Sequence, residues 1–461
     1  MDSSSHRARR THGPLDATGR LARLGCGVML SLASTLCVPS QSAAEGVSAP
    51  RNLILVSIDT LRPDRLGCYG NPRPTSPAID RVARKGIVFD DASAPAPWTK
   101  PSHASLFTGR YPSAHGASTM SSELRGDVPH LAAWLAGRGF ETLAVVNSML
   151  LKQHGLERGF ARLDYVPYVQ GERRSSPVTE HALARIGERD PSKRLFLFVH
   201  YMDVHSDYGS LPRYESMFVR PYEGFADGTT QQLYRHALGR FELGQRDVAH
   251  LLDLYDASIR QLDDQLDRLL RLLDETGMLA ESLLVVLSDH GEEFLEHGGV
   301  LHGQSQFQEV VRIPLVLWAP GLPHGVRIDE PVSLLDVLPT CLALLGLPAP
   351  QPLDGVDLRP LWSSPAGPLA PRLLFYEADV TFPPPAPGVV PVGTRRAVRE
   401  GRFKFHYDLE ARRAGLFDLS VDPGETVDQI ALHPQKAREL SERLRRFLDQ
   451  DRKTAERAGG S

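Results

Sequence analysis

Residues 98–109 read Trp98-Thr99-Lys100-Pro101-Ser102-His103-Ala104-Ser105-Leu106-Phe107-Thr108-Gly109. The order of residues predicts a sharp entry into a helix. Pro101 suits an early helical position, where a missing N–H costs nothing. Ser102 or Thr99 offers a hydroxyl to the free backbone N–H groups, and Gly109 closes the helix. A hydroxyl at a helix N-terminus lies in a positive field, which suits a group that must become an alkoxide or hold an anion. Read in isolation, Thr99 is simply a cap.

Three apolar runs give that hydroxyl a setting. Residues 52–58 (Asn-Leu-Ile-Leu-Val-Ser-Ile) have the continuous apolar character of a buried parallel strand and end in Asp59-Thr60-Leu61-Arg62. Residues 194–199 form a second such strand and deliver His200-Tyr201-Met202-Asp203-Val204-His205. Residues 282–287 form a third and end in Ser288-Asp289-His290-Gly291-Glu292-Glu293. Ligands in open α/β sheets gather at the carboxyl ends of strands. Asp59 alone reads as a turn or cap; the recurrence of Asp289 in the same context favours a shared cation. Carboxylate plus imidazole suits Zn²⁺ or Mn²⁺, whereas all-oxygen ligation suits Ca²⁺. His297-Gly298 and His302-Gly303 follow on a glycine-rich loop. Each histidine either faces the site or lies at the surface.

These blocks resemble the sulfatase family of the alkaline phosphatase superfamily. That family carries Cys-x-Pro-Ser-Arg and then an Ala-Ser-Leu-Leu-Thr-Gly-like run, against Thr99-Lys100-Pro101-Ser102-His103 and Ala104–Gly109 here. Thr99 stands where the family has the Cys or Ser oxidised to formylglycine, so no formylglycine is expected. His103 stands for the family's Arg, Asn147 for a sulfate-binding Lys, and Thr60 for a second acidic metal ligand. His205 and Tyr208 match a substrate-contacting His-x-Pro-Tyr motif in which Asp207 replaces Pro. Residues 416–425 match the family's C-terminal signature. The resemblance covers about residues 50–450.

The resemblance implies an alkaline-phosphatase-like α/β sandwich: a large mixed, mostly parallel sheet flanked by helices, with a smaller C-terminal α+β domain built on an antiparallel sheet. The expected division is a leader at 1–45, a catalytic domain at 50–365, a smaller domain at 372–450 and a polar tail at 451–461. It also implies in-line displacement at sulfur or phosphorus. Asp59, Asp289 and His290, with the Thr99 oxygen, hold a divalent ion, which is Ca²⁺ by resemblance. Thr99 is the nucleophile, and Ser102, His103 and Asn147 line the substrate. His205 or His302 protonates the leaving group, or the two bind a second ion with Asp203. Phosphate diesters and phosphonates are alternative substrates. A phosphoryl-type transferase and a non-catalytic glycan- or anion-binding protein are the other readings.

The rest of the chain is read from its own patterns. Helices are expected at 76–85, 128–136, 247–274 and 434–449, and strands at 87–89, 142–146, 312–318, 396–399 and 404–407. Charged residues of the 247–274 helix are expected on a solvated face, residues 210–245 as an irregular insertion, and the Pro-rich stretch 383–391 as a loop. With 461 residues and a formal net charge of -4, the chain has room for a large core and no broad basic surface for nucleic acid. Arg7, Arg9, Arg10, Arg20 and Arg23 precede a short apolar run and Ser42-Ala43-Ala44, the pattern of an export signal, with no membrane span after it. Past that leader only Cys68 and Cys341 remain, so a cysteine-based zinc site is excluded and two buried thiols are expected.

Overall fold

The apolar runs become neighbouring strands of one nine-stranded sheet in the computed structural model, which describes residues 49–167, 175–363, 367, 369–379 and 394–459. In chain order the strands are β1 Asn52–Ile58, β2 Ile87–Ser93, β3 Phe140–Val146, β4 Arg162–Tyr165, β5 Arg194–Tyr201, β6 Ser282–Ser288, β7 Glu293–Phe294, β8 Val300–Leu301, β9 Arg312–Trp318, β10 Val326–Ile328 and β11 Val332–Ser333. The spatial order is β10-β2-β9-β6-β1-β5-β3-β4, with β11 beside β2 and β7-β8 a separate pair. Among the described residues only β9 runs antiparallel to its neighbours in the large sheet. The leader at 1–45 and the Pro-rich stretch 383–391 lie outside the described residues.

Alternation along β1 builds two cores. Ile54, Val56 and Ile58 pack with Leu251, Tyr255, Ile259 and Leu262 of the helix Gln245–Glu275. Leu53 and Leu55 face the opposite way, in the cluster containing Ala104, Leu106 and Phe107 of the helix Thr99–Thr108. The helix Thr99–Thr108 is thus pinned against one face of the sheet, and all its residues are buried.

The long helix departs from the sequence reading in an informative way. Three of its carboxylates are not solvated: Asp253, Asp256 and Asp263 are buried. Asp253 pairs with Arg73 and Arg220, and Asp256 with Arg65 and Arg73. Asp263 accepts the backbone N–H groups of Ala78 (2.7 Å) and Ile79 (2.9 Å), at the start of the helix Pro77–Lys85. Ser76, which stands at the N-cap position, makes no capping bond there. A cap supplied from far along the chain leaves no local sequence signal. Asp263→Ala is expected to cost about 0.5–2 kcal/mol, the range for losing a helix N-cap. Urea denaturation measures it, and an unchanged midpoint would show the cap to be dispensable.

Other differences are local. The helix expected at 128–136 spans only Leu131–Ala136, and the final helix continues past 449 as Pro434–Gly459. The stretch 210–245 contains the helices Pro212–Phe218 and Thr230–Ala237. Among the described residues no helix is long and apolar enough to cross a membrane. Both thiols are free; Cys341 is buried as expected, whereas Cys68 is only half-buried.

A second, antiparallel sheet follows: β12 Leu373–Ala378, β13 Arg395–Glu400, β14 Phe403–Asp408 and β15 Arg413–Asp418. Val398, Phe405 and Leu416 pack against Ala437, Leu440 and Leu444 of the final helix. Glu425, just beyond β15, is buried between Lys404 (3.1 Å) and His406 (2.7 Å). Its backbone carbonyl accepts from His297 Nε2 at 3.1 Å. This contact ties the small sheet to the loop that carries His302.

Candidate active site

Strand register assembles the site. Ile58 pairs with Ser288 on one side and with Tyr201 on the other. Asp59 and Asp289 therefore leave adjacent strand ends side by side, and His200 lies across from Ser57 in the next strand. Thr99 enters from the first turn of its helix.

The side chains converge closely. Thr99 Oγ1 lies 3.4 Å from Asp59 Oδ2 and 3.4 Å from His290 Nε2. His290 Nε2 is 3.4 Å from Asp59 Oδ1 and 3.3 Å from Asp289 Oδ2. Donors bound to one ion at about 2.1 Å in a tetrahedron stand about 3.4 Å apart. Asp59, Asp289 and His290 form a buried group with the spacing of a metal site. Asp59 Oδ1 and Asp289 Oδ2 are buried without a hydrogen-bond partner. An unpaired buried acceptor is costly, and two facing each other are resolved by a cation. The residues fit a divalent ion.

The electrostatics agree. Burial raises both carboxylates. At Asp59 the His200 contact and the nearby imidazoles outweigh burial and hold the group well below the ordinary range. At Asp289 the charge of Asp59 adds to burial, and its pKa is driven far up. Two buried carboxylates this close cannot both ionise without a neutralising charge. Burial, with repulsion from His302, keeps His290 neutral and its Nε2 lone pair available. Nδ1 of His290 completes the tautomer by donating to the Gly291 carbonyl at 3.0 Å.

Several residues expected at the substrate have other partners. Neither Thr99 nor Ser102 caps the helix: position N-cap is Trp98, with no side-chain bond. Ser102 Oγ donates to the Asp289 carbonyl at 2.5 Å, which fastens the helix to the end of β6. His103 is fully buried, with Nδ1 donating to the Thr99 carbonyl (2.8 Å) and Nε2 accepting from Ser57 Oγ (2.9 Å). Burial pushes its pKa down to about 3, so it stays neutral and holds the turn behind Thr99. Asn147 donates its amide to the Val166 carbonyl at 2.7 Å, locking the ends of β3 and β4.

The second-metal triad of Asp203, His205 and His302 does not form. Among the described residues the groups with metal-ligand spacing do not include it. His205 and His302 do meet, with ring centroids 5.0 Å apart, and His302 lies tilted against His290 at 4.4 Å. Asp203 instead faces the amide of Gln261. The partner of His302 is Glu292, whose Oε1 lies 2.8 Å from Nδ1. Burial opposes the charged imidazole, but Glu292 prevails and raises the His302 pKa above its ordinary value. His297 is not at the site. It stacks on Phe307 at 3.5 Å and pairs with Glu309 at 2.6 Å.

Sequence reasoning assigned no role to His200 and Glu292. Glu292 sits in a motif quoted for its neighbours. His200 is a histidine at the carboxyl end of an otherwise apolar strand, and that placement was the available signal.

The sulfatase family model matches residues 51–347, which includes every residue of this site. The chain belongs to the sulfatase family. Bovine (Bos taurus) arylsulfatase A is 29% identical over 472 residues, covering 88% of this chain and 90% of that protein. The structure of BT4656 in complex with its substrate D-glucosamine-2-N,6-O-disulfate superposes with a TM-score of 0.73 and 20% identity, covering 88% of this chain and 99% of that one. The phosphonate monoester hydrolase of Agrobacterium radiobacter has a TM-score of 0.70 and 22% identity, over 87% and 96% of the two chains. The two structural likenesses establish the alkaline-phosphatase-like fold, and the family makes this sulfatase relative an ester hydrolase of the sulfuric-ester class, with its substrate unspecified.

Proposed function

We propose that the chain is a metal-dependent hydrolase of sulfate or phosphate esters in which Thr99 is the nucleophile. The observation that carries this is the 3.4 Å approach of Thr99 Oγ1 to both Asp59 and His290, inside a cluster of unpaired buried acceptors. A bound divalent ion supplies Lewis-acid stabilisation of the Thr99 alkoxide and of charge on the transferred group. Asp59, Asp289 and His290 would hold it. Thr99 Oγ1, its proton lost to solvent, forms a bond to sulfur or phosphorus as the bond to the leaving oxygen breaks. His302, held protonated by Glu292, gives that oxygen its proton. Now neutral, His302 takes a proton from the water that attacks the threonine ester, and the Thr99 oxygen leaves and is reprotonated. His205 holds Nδ1 to the Ser206 carbonyl at 2.8 Å, which leaves Nε2 as an acceptor for substrate.

Phosphonate and phosphate diesters belong in the same reading. Threonine cannot expel sulfate by the internal collapse open to a hydrated aldehyde, so its ester must be hydrolysed, a route equally open at phosphorus. The fold shared with a phosphonate monoester hydrolase supports including them. The leader at 1–45 supports export.

Chelation followed by reloading tests the proposal. The purified chain is expected to carry about one divalent ion, to lose aryl sulfate, phosphate monoester, phosphate diester and phosphonate turnover together on chelation, and to regain it with Zn²⁺ or Mn²⁺. Turnover that survives complete removal of metal would overturn it.

A further inference from the structure

Glu292 and His302 stand at the two ends of one hairpin. Its strands, β7 and β8, pair Glu293 with Leu301 and Phe294 with Val300. Glu292 comes just before this ladder and His302 just after it, and their side chains meet at 2.8 Å. The hairpin is short and strained: Leu295 and Leu301 both have a φ of 69°, a left-handed conformation that non-glycine residues adopt at a cost. Leu301 is the residue next to His302. Strain of this kind persists only where neighbours hold it.

The hold is at the tip, on His297. Its backbone N–H donates to Glu293 Oε1 at 3.2 Å, inside the hairpin. Its ring faces two acceptors outside it, Glu309 Oε1 at 2.6 Å from Nδ1 and the Glu425 carbonyl at 3.1 Å from Nε2. A carbonyl cannot donate, so Nε2 carries a proton. An imidazole is more basic than a carboxylate, so the proton of the Nδ1 bond also belongs to the ring. Glu293, Glu309 and Glu425 surround this charge, while Lys404 and His406 face it from the other side of Glu425. Burial opposes the charge, but Glu309 outweighs it and raises the His297 pKa to about 9. Glu293, His297 and Glu309 also have metal-ligand spacing. Their atoms are already paired, however: Glu293 Oε1 accepts a second N–H, from Gly299 at 2.7 Å, and both ring nitrogens donate. A ring proton fills the place of a cation. Glu309 also reaches the other end of the hairpin, where its carbonyl accepts the Glu292 N–H at 3.0 Å.

We propose that His297, as an imidazolium donating from both nitrogens, is a positioning residue that clamps the hairpin tip to Glu309 and to the small sheet, and so holds Glu292 and His302 in place for leaving-group protonation. The inference rests on the proposed role of His302 and gives the C-terminal sheet a part in it.

The test compares wild type, His297→Gln, Glu309→Gln and His302→Asn, each checked for folding by circular dichroism. One arm measures turnover of an aryl ester with a strongly acidic phenol and of an alkyl ester. His297→Gln is expected to lower kcat on the alkyl ester by up to about 10²-fold, the scale of a small misplacement, with KM little changed and the aryl ester nearly spared. Glu309→Gln should show the same selectivity. The other arm records nitrogen NMR of histidine-labelled protein at about pH 8, between the ordinary histidine pKa and that of His297. The resonances lost in His297→Gln should be those of a ring protonated at both nitrogens, and Glu309→Gln should remove one of those protons. Equal losses on both esters, no loss on either, or a bare nitrogen on the wild-type ring would overturn the clamp. A selective loss in His302→Asn alone would leave the acid standing without the clamp. No leaving-group dependence in His302→Asn would remove the acid, and this inference with it. Glu309→Gln keeps the test open should His297→Gln fail to fold.

Discussion

Thr99→Ala is expected to reduce turnover by about 10⁴-fold or more, the scale on which removal of a covalent nucleophile acts. The fold should survive, because the hydroxyl makes only two long contacts, both toward Asp59 and His290. Bound metal should survive as well, since Asp59, Asp289 and His290 still converge. This combination, an intact ion with no turnover, separates a nucleophile from a structural cap. Thr99→Ser should restore much of the activity, because the oxygen returns in the same place. A second readout is direct: rapid acid quench with a phosphate ester should leave a phosphoryl group on the peptide containing Thr99. Thr99→Ala turnover within tenfold of wild type would eliminate covalent catalysis at this position.

The fold was legible because its strands are buried on both faces, and such strands announce themselves as unbroken apolar runs. Asp59 and Asp289 were legible for the same reason: each is the first charged residue after such a run, and register places them side by side. The remainder was obscured by long-range pairing. Asp263 sits in a helix whose periodicity reads as amphipathic, yet it caps a helix 185 residues away in sequence. His103 and Asn147 occupy positions where the sulfatase pattern has charged residues, but Ser57 and the Val166 carbonyl take up their polar atoms. Position in a motif gave their location; only the neighbours gave their bonding. Asp203 and His205 are two residues apart, and that closeness invited a shared ion. The chain turns between them, sending Asp203 toward Gln261 and His205 toward His302.

His302→Asn should cost about 10²–10⁴-fold in turnover, and the loss should depend on the leaving group. An aryl ester with a strongly acidic phenol leaves without a proton and should be nearly spared. An alkyl or sugar ester leaves as a basic alkoxide and should bear the full loss. A residue that merely shaped the pocket would reduce both alike. The pH profile carries the same signature. With His302 as the acid, acting in its protonated form, and Glu292 at 2.8 Å raising its pKa, wild-type activity on alkyl esters is expected to persist as long as His302 stays protonated and to fall as pH rises through the elevated pKa. Glu292→Gln removes the opposing charge and leaves burial unchecked. The pKa then drops, and the alkaline limb should move to lower pH. With the aryl ester the limb should be weak in both proteins, because proton donation no longer limits the rate. An unmoved limb in Glu292→Gln, or equal losses on both esters in His302→Asn, would reassign the leaving-group proton to His205, whose ring lies 5.0 Å from that of His302 at the same face of the site.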